Sequence, residues 1–128
     1  MNINDMKSNL KMQQFYFSEC SLKREPVIKD GDYNINLKKE IQSAGEHTYD
    51  VTLKTEVSKN DVELLVVAKA RFILEADDYT NEKTVINRNT IAIMFPFVRS
   101  QVTLMTSQPA MSPVVLPPVN TARFEENQ

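Results

Sequence analysis

A chain of 128 residues with 41% apolar and 25% charged side chains is one domain's worth of sequence around one core. Its formal charge of −2 lacks the basic excess of a nucleic-acid module, and the near-balance is not that of an acidic disordered tail. The two glycines, Gly31 and Gly45, stand alone, which excludes the glycine-rich loops of most nucleotide enzymes. One cysteine, Cys20, closes no internal disulfide, and no apolar leader opens the chain, so a reduced, cytoplasmic protein is expected. His47, the one histidine, has no second imidazole for a usual zinc set. It reads as a turn histidine and Cys20 as a small packed thiol, so no enzyme, no metal and no cofactor is expected.

Residues 1–12 are polar with a weak helical pattern and read as a short helix or a mobile arm. Residues 14–24 form a strand dense in aromatics, with Phe15 and Phe17 on one face and Tyr16, Cys20 and Leu22 on the other. A strand apolar on both faces is buried on both or lies at an interface. Three strands with period-two alternation follow. In the first of them Tyr33, Ile35, Leu37 and Ile41 share a face, and in the next Tyr49, Val51, Leu53 and Val57 do. The last points Val62, Leu64, Val66, Ala68, Ala70, Phe72 and Leu74 inward. The links at 43–46 and 58–61 are short, which forces antiparallel neighbours with one wet face.

Beyond Asp78 the period changes. Ile91, Phe95, Val98, Val102 and Met105 make one helical stripe, and Ile86, Thr90, Ile93, Met94 and Phe97 make a second beside it. Thr80 or Asn81 is the expected cap, and Pro96 predicts a kink or short break. Four of the six prolines lie at 109–118, so that segment is an extended crossover rather than helix or strand. The fold class is therefore α+β, a four-stranded antiparallel sheet backed by a long, kinked helix, in a single domain spanning residues 1–128.

The charge distribution carries a functional signal. Between residues 89 and 122 the only charge is Arg99, whereas the first 88 residues hold 28. Prolines and polar residues interrupt every apolar run, so no membrane insertion is expected. A charge-poor helix followed by an apolar loop suits chain packed on chain, and its methionines suit varied partners. Strand 14–24 and helix 86–105 are the expected oligomer contacts, through Phe15, Phe17, Ile91, Val98 and Val102, in a dimer or tetramer.

Asn89 to Arg99, reading Asn-Thr-Ile-Ala-Ile-Met-Phe-Pro-Phe-Val-Arg, resembles the helix motif of the SecB family of protein-export chaperones. Leu116-Pro117-Pro118-Val119-Asn120 resembles that family's crossover motif. The two stand at the family's spacing, after four strands. The resemblance implies a homotetramer that holds unfolded polypeptide clients without nucleotide, in apolar grooves. Carried over by position, the client-binding groove comprises Met105, Met111, Val114, Val115, Leu116 and Val119, while Phe95, Pro96 and Arg99 are structural. Preproteins for export are the implied clients.

Two features depart from the family pattern. Only eight residues follow Asn120, too few for the family's second helix, and Thr121 stands where phenylalanine is common. The wet face sets Lys38, Lys54, Lys69 and Arg71 against Glu40, Asp50, Glu56 and Glu63, whereas the family docks the SecA translocation ATPase through an acidic sheet. An antitoxin is therefore a partner alternative to SecA and export clients. Two non-chaperone readings also stand beside these, an oligomeric scaffold and a carrier of an apolar small molecule.

Overall fold

The structure, a computed structural model, describes residues 8–118. Four strands form one antiparallel sheet: β1 (Ser8–Arg24), β2 (Asn34–Gly45), β3 (Thr48–Lys59) and β4 (Val62–Ala76), in the order β1-β4-β3-β2. One long helix, α1 (Glu82–Thr106), packs across β4, β3 and β1. The two hairpins are the short links that the sequence requires. The β1–β2 loop instead crosses the end of the sheet, three strand spacings or roughly 14 Å, well within the reach of nine residues. It is tied to the β3–β4 turn by Lys29 N–H donating to Asp61 Oδ2 (2.6 Å) and by Lys59 Nζ donating to the Lys29 carbonyl, and Lys59 Nζ also donates to Asp61 Oδ1 (2.6 Å) within the turn itself.

Strand β1 begins at Ser8, so residues 8–12 are strand rather than helix or arm; residues 1–7 lie outside the described segment. The apparent two-faced pattern of β1 resolves into one. Its pairing with β4 slips once between Gln13 and Tyr16 and again between Phe17 and Glu19. Each bulge inserts one residue and flips the alternation. The inward face therefore reads Leu10, Met12, then Phe15, Phe17, then Cys20, Leu22, opposite the inward residues of β4. Gln14, at the first bulge, is held at φ 55°, in the left-handed region.

The core lies between sheet and helix. Val51, Leu53, Val57, Val66, Ala68 and Phe72 from the sheet meet Ile91, Met94, Phe95, Val98 and Val102 from α1, all essentially inaccessible. The two helical stripes act as one: Ile86, Thr90, Ile91, Met94, Phe95, Val98, Val102 and Thr106 are buried, while Phe97 is 49% exposed. The two buried helix threonines stay satisfied by back-bonding, Thr90 Oγ1 to the Ile86 carbonyl (2.5 Å) and Thr106 Oγ1 to the Val102 carbonyl (2.8 Å). The helix passes Pro96 without a break. Pro96 and Ala92 are both exposed, so the carbonyl that proline leaves unpaired is on the wet side.

Neither expected cap closes the helix start. Asn81 occupies the N-cap position without a side-chain bond, and Thr80 Oγ1 donates to Asp78 Oδ1 (2.5 Å). The first turn is secured instead by Glu82. Its carboxylate accepts from the Tyr49 hydroxyl and lies 2.8 Å from His47 Nδ1, and His47 stacks on Tyr79 at 3.6 Å. These contacts lock the β2–β3 hairpin to the helix N-terminus, where a carboxylate also suits the helix dipole.

Candidate functional site

The crossover leaves α1 at Ser107 and runs back along it in extended form to Pro118. Four of its residues, Pro109, Pro113, Pro117 and Pro118, have no N–H to offer a ladder, so helix side chains hold its backbone instead. Arg99 Nε donates to the Leu116 carbonyl (2.9 Å), and Thr103 Oγ1 donates to the Val114 carbonyl (2.8 Å). Val114 N–H donates to Thr106 Oγ1 (2.8 Å). At its start, Arg24 Nη1 reaches Gln108 Oε1 (3.3 Å) and the Pro109 carbonyl (3.2 Å). The family-motif residue Arg99 thus helps to hold the crossover against the helix.

An extended backbone points successive side chains to opposite sides. Val114 (9% exposed) and Leu116 (1%) turn into the subunit core, and Val115 (72%) turns out. The expectation that all three face a client is corrected: Val114 and Leu116 are core. Val115 and Leu104, itself 68% exposed, flank an open groove of about 620 Å³ whose other walls are Pro96, Arg99, Ser100, Thr103 and Ser107, with Leu116 beneath. Met105 is half-buried and packs against the core. Met111 lies apart from Val115, in a second groove with Ile28, Tyr33, Lys59 and Val114. Val119 and Asn120 lie outside the described residues.

Sequence reasoning missed two contributors. Leu104 falls outside both helical stripes, and that off-stripe position is the signal that could have marked it. The inward face of β2 is incompletely covered: Ile35 is 42% exposed, and Tyr33, Leu37 and Ile41 are half-buried. Its alternation was legible, but the width of sheet that one helix covers was not.

The expected oligomer contacts also divide. Ile91, Val98 and Val102 are fully buried within the subunit and offer no surface to another chain, which corrects that expectation. Phe15 and Phe17 are half-buried, 5.3 Å apart edge to face, and Phe97 covers Phe15 at 5.0 Å. No nucleophilic pair forms. Cys20 is opposite Val66, whereas the His47 carbonyl accepts from Leu74 N–H, eight residues or roughly 26 Å along β4. Among the described residues no cluster suited to a metal is found, and no helix is long and apolar enough to cross a membrane.

Comparison with known proteins agrees with this geometry. The family described as preprotein translocase subunit SecB matches residues 4–128. An uncharacterized protein of Methanocaldococcus jannaschii is 30% identical over 92% of this chain and 79% of its own length. The Mycobacterium tuberculosis SecB-like chaperone Rv1957, in complex with a ChAD peptide from the HigA1 antitoxin, superposes with a TM-score of 0.68 at 11% identity, covering 87% of this chain and 88% of that one. A Streptococcus agalactiae protein of unknown function superposes at 0.56 with 9% identity, covering 87% and 98%.

Proposed function

This chain belongs to the SecB family, and from that premise we propose that it is a nucleotide-independent holdase that binds unfolded polypeptide segments along the α1–crossover groove. The carrying observation is the pair Leu104 and Val115, large apolar side chains 68% and 72% exposed, lining one groove on backbone that Arg99, Thr103 and Thr106 hold in place. Burial against such a surface gains about 25 cal/mol per Å² whatever the client's sequence. A rigid receptor also loses little entropy on binding. Folded proteins are passed over because their apolar segments are not accessible.

The proposed clients are preproteins for export, delivered to the SecA ATPase, with an antitoxin as the second reading. One observation favours the second. The outer sheet face neutralises its own charge, with Arg71 bidentate on Asp50 (2.8 and 3.1 Å) and Lys54 paired with Glu56 (3.2 Å), rather than presenting net acid. The SecB-like neighbour captured with an antitoxin peptide supports the same reading. A cytoplasmic dimer or tetramer is proposed with it, since Phe97, packed on Phe15 of β1, and Tyr16, on the outer face of β1, stay 49% and 53% exposed.

The test is light scattering by several unrelated denatured proteins, with and without this chain and without nucleotide. Suppression of aggregation at near-stoichiometric ratios is expected. Undiminished aggregation of every client would sink the holdase in favour of a scaffold or an apolar-ligand carrier.

A further inference from the structure

The groove carries one charge whose hydrogen-bonding capacity is largely unspent. Arg99 is the only ionisable side chain from residue 89 to residue 118, and it lines the groove beside Leu104 and Val115. Among the described residues it makes one hydrogen bond, from Nε to the Leu116 carbonyl, and no ion pair. A guanidinium carries five N–H donors, so both terminal nitrogens remain. Arg24, at the other end of the crossover, is different. Its guanidinium donates to the carbonyls of Glu25, Pro26 and Pro109 and to Gln108 Oε1, so each of its nitrogens is engaged.

We propose that Arg99 is a carboxylate receptor at the edge of the apolar groove, selecting client segments that carry an acidic side chain next to an apolar one. The proposal rests on the holdase reading and names the substrate class of that groove. Three features support it. The bond from Nε fixes the plane of the guanidinium, and the end-on edge formed by Nη1 and Nη2 is the fork that a carboxylate fills with two parallel hydrogen bonds. Among the described residues the neighbourhood supplies no competing anion: the other groove walls are Pro96, Ser100, Thr103, Leu104, Ser107, Val115 and Leu116. A half-buried cation in an apolar surround is also screened less than one on an open surface, so its preference for an anion is stronger. Leu104 and Val115 supply sequence-tolerant affinity, and Arg99 supplies register.

The experiment uses the full chain and three fluorescein-labelled ten-residue peptides with blocked termini. All share a Leu-Val-Leu core, and the residue after it is Glu, Gln or Lys. Anisotropy titration at low salt is expected to rank Glu tightest, about tenfold over Gln, with Lys weakest. The Glu advantage shrinks as salt rises, while Gln binding holds. Arg99→Gln is expected to bring Glu down to the Gln level. Arg99→Lys, which keeps the charge without the planar fork, is expected to retain part of the gap. The peptide series on the unaltered protein decides the matter even where a variant fails to fold. Equal affinity for Glu and Gln overturns the receptor and leaves the holdase standing, whereas no binding of any peptide overturns both.

Discussion

Val115 and Leu116 are adjacent valine and leucine on one extended segment, and the structure assigns them opposite fates. Leu116 is 1% exposed and part of the main core, so Leu116→Ala leaves a cavity; such truncations cost about 2–5 kcal/mol. At roughly 4 °C per kcal/mol for a domain of this size, melting falls by about 8–20 °C. Val115 is 72% exposed, so Val115→Ser removes almost no folded-state burial, and stability changes by no more than about 0.5 kcal/mol. Client binding is affected in the opposite sense. Full burial of a valine is worth about 1.5–3 kcal/mol, and most of that surface is still available to a client. Val115→Ser therefore weakens Kd by roughly five- to thirtyfold. Thermal melts by circular dichroism and anisotropy with one unfolded client, run on both variants, read the two quantities separately. A melting loss in Val115→Ser as large as that in Leu116→Ala, or an unchanged Kd in a well-folded Val115→Ser, would refute the division of the crossover into a core side and a client side.

Four further outcomes follow from the sheet and the hairpin lock. Thr55 Oγ1 is fully buried without a hydrogen-bond partner, so Thr55→Val is expected to raise unfolding free energy by about 1–2 kcal/mol in urea titration. Gln14 holds φ 55° at a bulge; Gln14→Gly removes a left-handed strain of about 1–2 kcal/mol and adds about 0.5–1 of backbone entropy. A small net gain at unchanged m-value is expected, and a loss would show that the Gln14 side chain matters more than its backbone. Burial and then the Glu82 carboxylate push the Tyr49 phenol up to about 12 from 10.0, so one of the four tyrosines should ionise late in an ultraviolet pH titration. Its raised value means the stability it contributes is intact below pH 10 and lost as pH rises through about 12. Glu82 behaves oppositely. The Tyr49 hydroxyl and then His47 hold its carboxyl below the usual 4.5, so its contribution is present above that value and lost as pH falls through the lowered one. Glu82→Gln should remove the acid-side slope and only lessen the alkaline one, since burial is the larger cause of the Tyr49 shift.

Local patterning determined much of this protein. Alternation in β2, β3 and β4 placed the apolar inward residues correctly, though it passed over the inward Lys39 and Thr55, because a half-buried strand has a period of two and each slip would put its apolar set in water. The change of period after Asp78 marked α1, and the proline cluster marked the crossover, since both are consequences of backbone geometry within a few residues. The scarcity of charge from 89 to 118, where Arg99 stands alone, identified the segment that carries the groove.

What local pattern could not supply was set by contacts between distant segments. The bulges in β1 depend on β4, which pairs with it some fifty residues later, so Phe15, Phe17, Cys20 and Leu22 could be put on one face only once that partner was in place. The side of the crossover that is core depends on three bonds with helix side chains, donated by Arg99 and Thr103 and accepted by Thr106, and these fix the phase of an alternation the sequence leaves open. The oligomer expectation for Ile91, Val98 and Val102 erred for the same reason. Hydrophobicity says that a side chain is covered, and only the packing of α1 on the sheet says by what.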